Sequence, residues 1–140
     1  MPPRPCPFCA IVAGSAHAHV VLDEPGALAF LDARPLFPGH VLVVPRGHVE
    51  TLSDLPAGDV GAFFLCVQRI ARAVEGAVGA EGTFVAMNNK VSQSVPHLHV
   101  HVVPRRSKDG LRGFFWPRHA YANDDEARTV AEAIRASLRE

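Results

Sequence analysis

Three observations predict an α+β fold in which a largely antiparallel sheet carries helices on its surface. Short apolar runs punctuated by Pro and Gly fill the first third of the chain. A long stripe of apolar residues at three- and four-residue steps follows. Two more short runs then precede a final amphipathic segment. With 140 residues, 48% hydrophobic and 20% charged, the chain has the length and composition of one globular domain. We expect it to span 1–140, with a core at about 6–104 and a C-terminal part at 105–140.

The elements follow in order. Residues 17–22 and 27–31 read as two strands joined across the turn signal Glu24-Pro25-Gly26. The run His40-Val-Leu-Val-Val44, bounded by Pro38-Gly39 and Pro45, reads as a buried central strand. Leu55-Pro56 opens a long helix, with Ser53 or Asp54 as cap; Val60, Phe63, Phe64, Val67, Ile70, Val74 and Val78 form its core stripe, and Gly79 and Gly82 end it. Residues 84–87 and 98–103 supply two more strands. A last helix runs over 124–138, capped by Asn123 with Glu126, and its expected buried face is Val130, Ile134 and Leu138.

Fourteen Lys and Arg balance fourteen Asp and Glu, so no global field recruits nucleic acid or a membrane surface, and any phosphate recognition must be local. The N-terminal Met-Pro-Pro-Arg-Pro lacks the apolar stretch of a signal peptide, and no later run is long enough to span a bilayer. Three cysteines, an odd count, argue against a secreted disulfide scaffold and for a reducing cytoplasm.

The informative segment is Gln93-Ser94-Val-Pro-His97-Leu-His99-Val-His101-Val-Val103. On a strand, His97, His99 and His101 share one face while Leu98, Val100 and Val102 share the other. Three solvated histidines are the bland alternative. A catalytic metal site is another, although same-face strand positions lie about 7 Å apart, too far for the outer two to chelate one ion unaided. The third reading makes the middle histidine a nucleophile oriented by its neighbours, with a cationic His101 helping to keep His99 neutral.

His97-Leu-His99-Val-His101-Val-Val103 resembles the His-φ-His-φ-His-φ-φ signature of the histidine triad (HIT) superfamily. The likeness extends to Ala29-Phe-Leu-Asp32-Ala-Arg-Pro35, to Pro38-Gly-His40-Val-Leu-Val-Val-Pro45 with His48, and to Gln93-Ser94. This resemblance implies a five-stranded, mainly antiparallel sheet with one long helix and a C-terminal helix, usually a homodimer. It implies hydrolysis or transfer of nucleoside monophosphates through a nucleotidyl-histidine, with no cofactor needed for the chemistry. His99 is then the nucleophile, the carbonyl of His97 orients it, His101 binds phosphate oxygen, and His40 sits behind the triad. Asp32 would grip the ribose hydroxyls. Phe30 and Leu31 would lie near a purine base, Gln93 and Ser94 near the phosphate and leaving group, and Asn88 (or its neighbour Asn89) at the α-phosphate.

Two departures stand out. The loop between Asn88 and Gln93 is about two residues shorter than in the nucleoside phosphoramidase branch, and in it Lys90 adds a charge and Ser92 replaces a glycine. The segment 113–118, Gly-Phe-Phe-Trp-Pro-Arg, is expected to pack a dimer or the last helix rather than to touch substrate.

Cys6-Pro-Phe-Cys9 has the spacing of two thiolate ligands to zinc, but alone it is half a site, and a redox pair or two buried thiols are live alternatives. Several bacterial members of the superfamily, and the related galactose-1-phosphate uridylyltransferases, complete such a site with histidines whose counterparts are His48 and His97. The resemblance therefore implies a structural Zn2+. The expected activity is cleavage at the α-phosphate of adenylylated or dinucleoside polyphosphate substrates. The alternatives are a transferase or phosphorylase using the same residues, and a low-turnover nucleotide-binding regulatory protein.

Overall fold

The computed structural model describes residues 5–111 and 118–138. The chain forms two compact units, Met1–Asp109 and Gly110–Glu140, each described here by itself. Most of the aromatic segment 113–118 lies outside the described residues.

The first unit is a five-stranded sheet in the order β1-β2-β3-β5-β4, antiparallel at every pairing. Its strands are β1 (Val20–Glu24), β2 (Ala27–Leu31), β3 (Val41–Val44), β4 (Gly82–Ala86) and β5 (Val100–Arg105). The α+β class and the strand number agree with expectation. The first strand starts three residues later than expected and runs directly into the turn, while residues 17–19 form an irregular approach to it.

Alternation along β2 and β3 divides the core into two clusters. Ala27, Ala29, Val41 and Val43 face α2 (Ala57–Val78), where Phe63, Cys66, Val67, Ile70 and Val74 are buried. Leu28, Phe30, Leu42 and Val44 face the other side, where Phe8 packs. The sheet centre is thus covered on both faces, which is why β3 reads as unbroken apolar residues. Pro104 is registered against Thr83 of β4, and no β3 residue lies opposite it, so its missing N–H costs no ladder bond.

The long helix begins two residues after Leu55, with Pro56 at the cap position and no side-chain cap. Asp54 instead closes a capping box with Thr51 around the short 3-10 turn Leu52–Asp54, and Ser53 caps nothing. Gly79 ends α2 in the left-handed conformation (φ 64°) that glycine adopts without a Cβ penalty, whereas Gly82 opens β4. Val60 lies off the buried stripe, 37% exposed.

Two expectations for the termini change. A short helix, α1 (Pro7–Val12), precedes the sheet; Cys6 is its N-cap, its Sγ accepting from Cys9 N, and Pro7 is its first residue, a favoured place for proline that the missing periodicity concealed. In the second unit α3 (Asp124–Leu138) forms where expected, with Asn123 Oδ1 accepting from Glu126 N. The Glu126 carboxylate, however, receives Ala122 N rather than the cap residue's own amide. Its apolar stripe is open: Val130, Ile134 and Leu138 are 39%, 57% and 79% exposed.

Candidate active site

The three triad histidines lie on one side of the sheet, as the alternation predicts. Leu98, Val100 and Val102 join the core against α2, while Phe8 on the other side touches both His97 and His99, and His99 neighbours His101. Only His101 lies within β5; His97 and His99 occupy the irregular approach to it, where Leu98 N donates to the Val49 carbonyl (2.7 Å). The His99 and His101 rings stay together, centroids 5.1 Å apart, and both line a cavity of about 580 Å3. The His97 ring turns towards His48, 5.1 Å away, and is fully buried outside the cavity lining.

Hydrogen bonds set the tautomer of each imidazole. His99 Nδ1 lies 2.7 Å from the His97 carbonyl, which can only accept, so Nδ1 carries the proton and the Nε2 lone pair is free. Leu36 N–H donates to His40 Nδ1 (3.1 Å), so His40 is protonated at Nε2 and donates to His101 Nδ1 (2.9 Å). Neutral His101 must then carry its proton on Nε2. One backbone amide thus fixes the polarity of two successive rings. Asp32 Oδ2 stands 3.7 Å from His40 Nε2, while its Oδ1 accepts from Arg34 N (2.9 Å).

His101 is not cationic near neutrality, contrary to expectation. Burial, reinforced by His99 and His40, pushes its pKa down to about 4, with Asp32 opposing only weakly. Burial lowers His40 and His97 as well. The site therefore offers a neutral donor at His101 beside a nitrogen lone pair at His99, an arrangement suited to attack on an electrophile bearing anionic oxygens.

The structure brings Phe30, Leu31, Asp32, Ser94, His99 and His101 onto one cavity wall. Gln93 is not on it: its amide donates to the Glu50 carbonyl (2.5 Å) and accepts from Lys90 N (2.9 Å), tying the 88–94 loop to its neighbour. Asn89 is spent in the same way, accepting from Leu52 N (2.8 Å), whereas Asn88 carries no such bond among the described residues. Ser92 adopts φ 60° and Lys90 φ 71°, the left-handed conformation a glycine would take at no cost. Sequence reasoning missed Phe8 and Ile11 of α1, and His17, His19 and Arg34, all of which line the cavity. The Cys6-Pro7 start of α1 was the available signal. Phe8 packs edge-on against both His99 (5.1 Å) and His97 (5.9 Å).

Behind His97 lies a second constellation. The ligand atoms of Cys6, Cys9, His48 and His97 all fall within 4.8 Å of one another. His97 Nδ1 is 3.4 Å from Cys6 Sγ and 3.6 Å from Cys9 Sγ, and His48 Nδ1 is 3.3 Å from Cys9 Sγ. Tetrahedral zinc with Zn–S of about 2.3 Å and Zn–N of about 2.05 Å requires S···N of about 3.6 Å. The four residues therefore fit a zinc ion. His97 Nε2–H donates to the Pro45 carbonyl (2.9 Å), which leaves Nδ1 as its ligating atom. Burial and the adjacent Cys6 raise the Cys9 thiol in the absence of a cation. The triad itself does not converge on one point. Asp32, His40 and His101 form a separate cluster, but there the facing nitrogens share a proton.

A family model described as the HIT domain matches residues 13–108. An uncharacterised HIT-like protein of Mycobacterium tuberculosis is 42% identical over 109 residues, covering 76% of each chain. An adenylylsulfatase of Arabidopsis thaliana is 31% identical over 140 residues, covering 95% of this chain and 69% of its own. An adenosine 5'-monophosphoramidase of Schizosaccharomyces pombe is 28% identical over 136 residues, covering 96% and 98%. Among solved structures, a HIT family member from Bacillus subtilis superposes with a TM-score of 0.86 at 34% identity, covering 94% and 95%. A zinc-bound histidine triad family protein from Mycobacterium smegmatis superposes at 0.72 with 37% identity, covering 96% and 97%. The three histidines, the carbonyl-oriented middle imidazole and these likenesses lead to one assignment: this chain belongs to the HIT family.

Proposed function

We propose that the protein hydrolyses a purine nucleotide at its α-phosphate, with His99 as nucleophile. The observation that carries this reading is the bond from His99 Nδ1 to the His97 carbonyl, which leaves a neutral Nε2 directed away from its orienting partner in a cavity sized for a nucleotide. His99 Nε2 forms a bond to the α-phosphorus as the bond to the leaving group breaks, and the leaving group takes up a proton. Water then attacks phosphorus, the N–P bond breaks, and the nucleoside monophosphate departs from neutral His99. His101 Nε2–H donates to a non-bridging oxygen that gains charge in each step. Asn88 adds a phosphate contact, and the Ser94 hydroxyl meets the leaving group. Gln93 acts by holding the loop that carries them.

Asp32 accepts from the ribose hydroxyls, and Phe30 and Leu31 flank the base. The adenylylsulfatase and monophosphoramidase relatives carry different leaving groups on an adenylyl moiety, which supports a site that grips the nucleotide half. Cys6, Cys9, His48 and His97 would hold a structural zinc, as the spacing of their ligand atoms supports. When bound, that ion fixes the N-terminal turn and, through His97, the carbonyl that orients His99. We place the protein as a homodimer in the cytoplasm, on the family resemblance and on its three free thiols.

The test is trapping. Adenosine phosphosulfate or an adenosine phosphoramidate, quenched in the first turnover, should leave wild-type protein heavier by one adenylyl group on His99. Rapid turnover without any such adduct refutes the covalent route. Repeating turnover with and without inorganic phosphate separates hydrolysis from phosphorolysis.

A further inference from the structure

The polar wall of the cavity contains four residues with a part in the proposed chemistry or ribose contact, His99, His101, Ser94 and Asp32. It contains three with none: His17, His19 and Arg34. We propose that Arg34 and the His17–His19 imidazole pair form a base-edge recognition site that selects a 6-oxopurine nucleotide, guanine or hypoxanthine, over an adenine nucleotide. This inference rests on the reading of the cavity as a nucleotide site.

Connectivity of a nucleotide fixes the order along the wall. With phosphorus at His99 and ribose at Asp32, the base lies beyond Asp32, its faces against Phe8, Ile11 and Phe30. The three unassigned residues line the same cavity as these apolar side chains. The His19 carbonyl accepts from Leu31 N (3.0 Å), which lays the 17–19 segment alongside the end of β2. The Arg34 backbone amide bonds Asp32 Oδ1 at 2.9 Å, so its side chain leaves the wall two residues past the ribose acid. The imidazoles pack edge to face with centroids 4.9 Å apart, each limiting the other's rotation. Among the described residues no hydrogen bond or ion pair engages either imidazole or the Arg34 guanidinium, so their donors are available to a ligand.

Donor and acceptor chemistry then discriminates between bases. A guanidinium only donates, in a fork that matches two adjacent acceptors. A 6-oxopurine presents O6 and N7 side by side, whereas adenine places an amino donor next to N7. Each imidazole adds one N–H and one lone pair, the latter able to accept the N1–H that neighbours O6. The adenine amino group would face the guanidinium, and among the described residues the only carboxylate on the wall is Asp32, already committed to ribose.

Calorimetric titration of the full-length protein with GMP, IMP and AMP tests this directly and without turnover. GMP and IMP should bind about five- to a hundredfold more tightly than AMP, the discrimination expected of one bidentate base contact. Arg34→Ala should bring that ratio close to one, and Arg34→Lys, which keeps the charge and loses the fork, should do nearly the same. The double variant His17→Ala/His19→Ala should narrow it. All three residues are exposed, and circular dichroism will confirm that the variants fold. Equal binding of the three nucleotides, or a ratio that persists in Arg34→Ala, overturns the inference and leaves the nucleotide reading standing. Tight GMP with IMP as weak as AMP would mean that the 2-amino group is read, which also overturns it. Failure of all three to bind refutes the nucleotide reading and this inference together.

Discussion

The depressed pKa of His101 makes folding stability depend on pH in a way that one substitution isolates. In the unfolded chain His101 titrates at its ordinary 6.5, and in the fold at about 4. Between those values the unfolded state binds the extra proton. Stability therefore rises with pH across the window; the contribution is complete above 6.5 and is lost as pH falls towards 4. At about 1.4 kcal/mol per tenfold change in proton affinity, the fall corresponds to about 3 kcal/mol at face value. The ring is only half enclosed, and water screening reduces this to about 2 kcal/mol. Urea unfolding of wild type and His101→Gln at several pH values from 7.5 to about 4 measures it. Wild type should lose about 2 kcal/mol more than the variant over that range, the other histidines being common to both. Parallel profiles would mean that His101 is not held neutral by its surroundings, and the assignment of its Nε2–H as a neutral donor would fall with it.

Three further outcomes are expected. His99→Ala should bind nucleotide but lose turnover by about three orders of magnitude or more, while His101→Ala keeps a measurable residual rate; a tenth of wild-type kcat in His99→Ala contradicts the nucleophile assignment. Metal analysis should find about one zinc per chain, and Cys6→Ser or His48→Ala should lower metal content and Tm together. Chelator should spare the rate of protein that is still folded; loss of turnover with an intact fold, restored by zinc, would make the metal catalytic. Light scattering at micromolar concentration should give the mass of a dimer, and a monomer mass ends that proposal.

The elements most legible in the sequence were those whose pattern has only one physical solution. β2 was read to its exact residues because Pro25-Gly26 and Pro35 bracket an apolar run, and β3 to within one residue, His40, because the strand itself is buried on both faces and leaves no polar position. α2 was legible from its stripe, but not its start, since Asp54 serves a separate turn. α1 has six residues, too few to show a period. The alternation at 97–102 assigned the two faces as the structure has them, but it looks the same whether or not His97 and His99 are in the ladder, so the strand start at Val100 was not legible. Cys6 and His48 could be paired with His97 only by resemblance, because residues 91 and 49 positions apart meet through topology. The charge of His101 was misjudged for a related reason: what lowers its pKa most is burial, and both the pairing with β3 and the His40 ring come from residues about sixty positions away, although His99 is a near neighbour. For α3, an amphipathic pattern announces a face that can be covered, not one that is.

The one-and-a-half turns of α1 carry a further consequence, for the order in which the protein is assembled. A helix this short has no stability of its own. It is held where Cys6 and Cys9 meet His97 and where Phe8 meets His99, contacts that close a loop of about ninety residues. Joining ends so far apart costs about 4 kcal/mol of chain entropy, which must be met before those contacts contribute anything. The wall of the cavity that Phe8 and Ile11 supply is therefore among the last parts of this unit to fall into place. Until it docks, the His99 and His101 rings lack the wall that Phe8 and Ile11 provide, so the cavity exists only in the fully assembled unit.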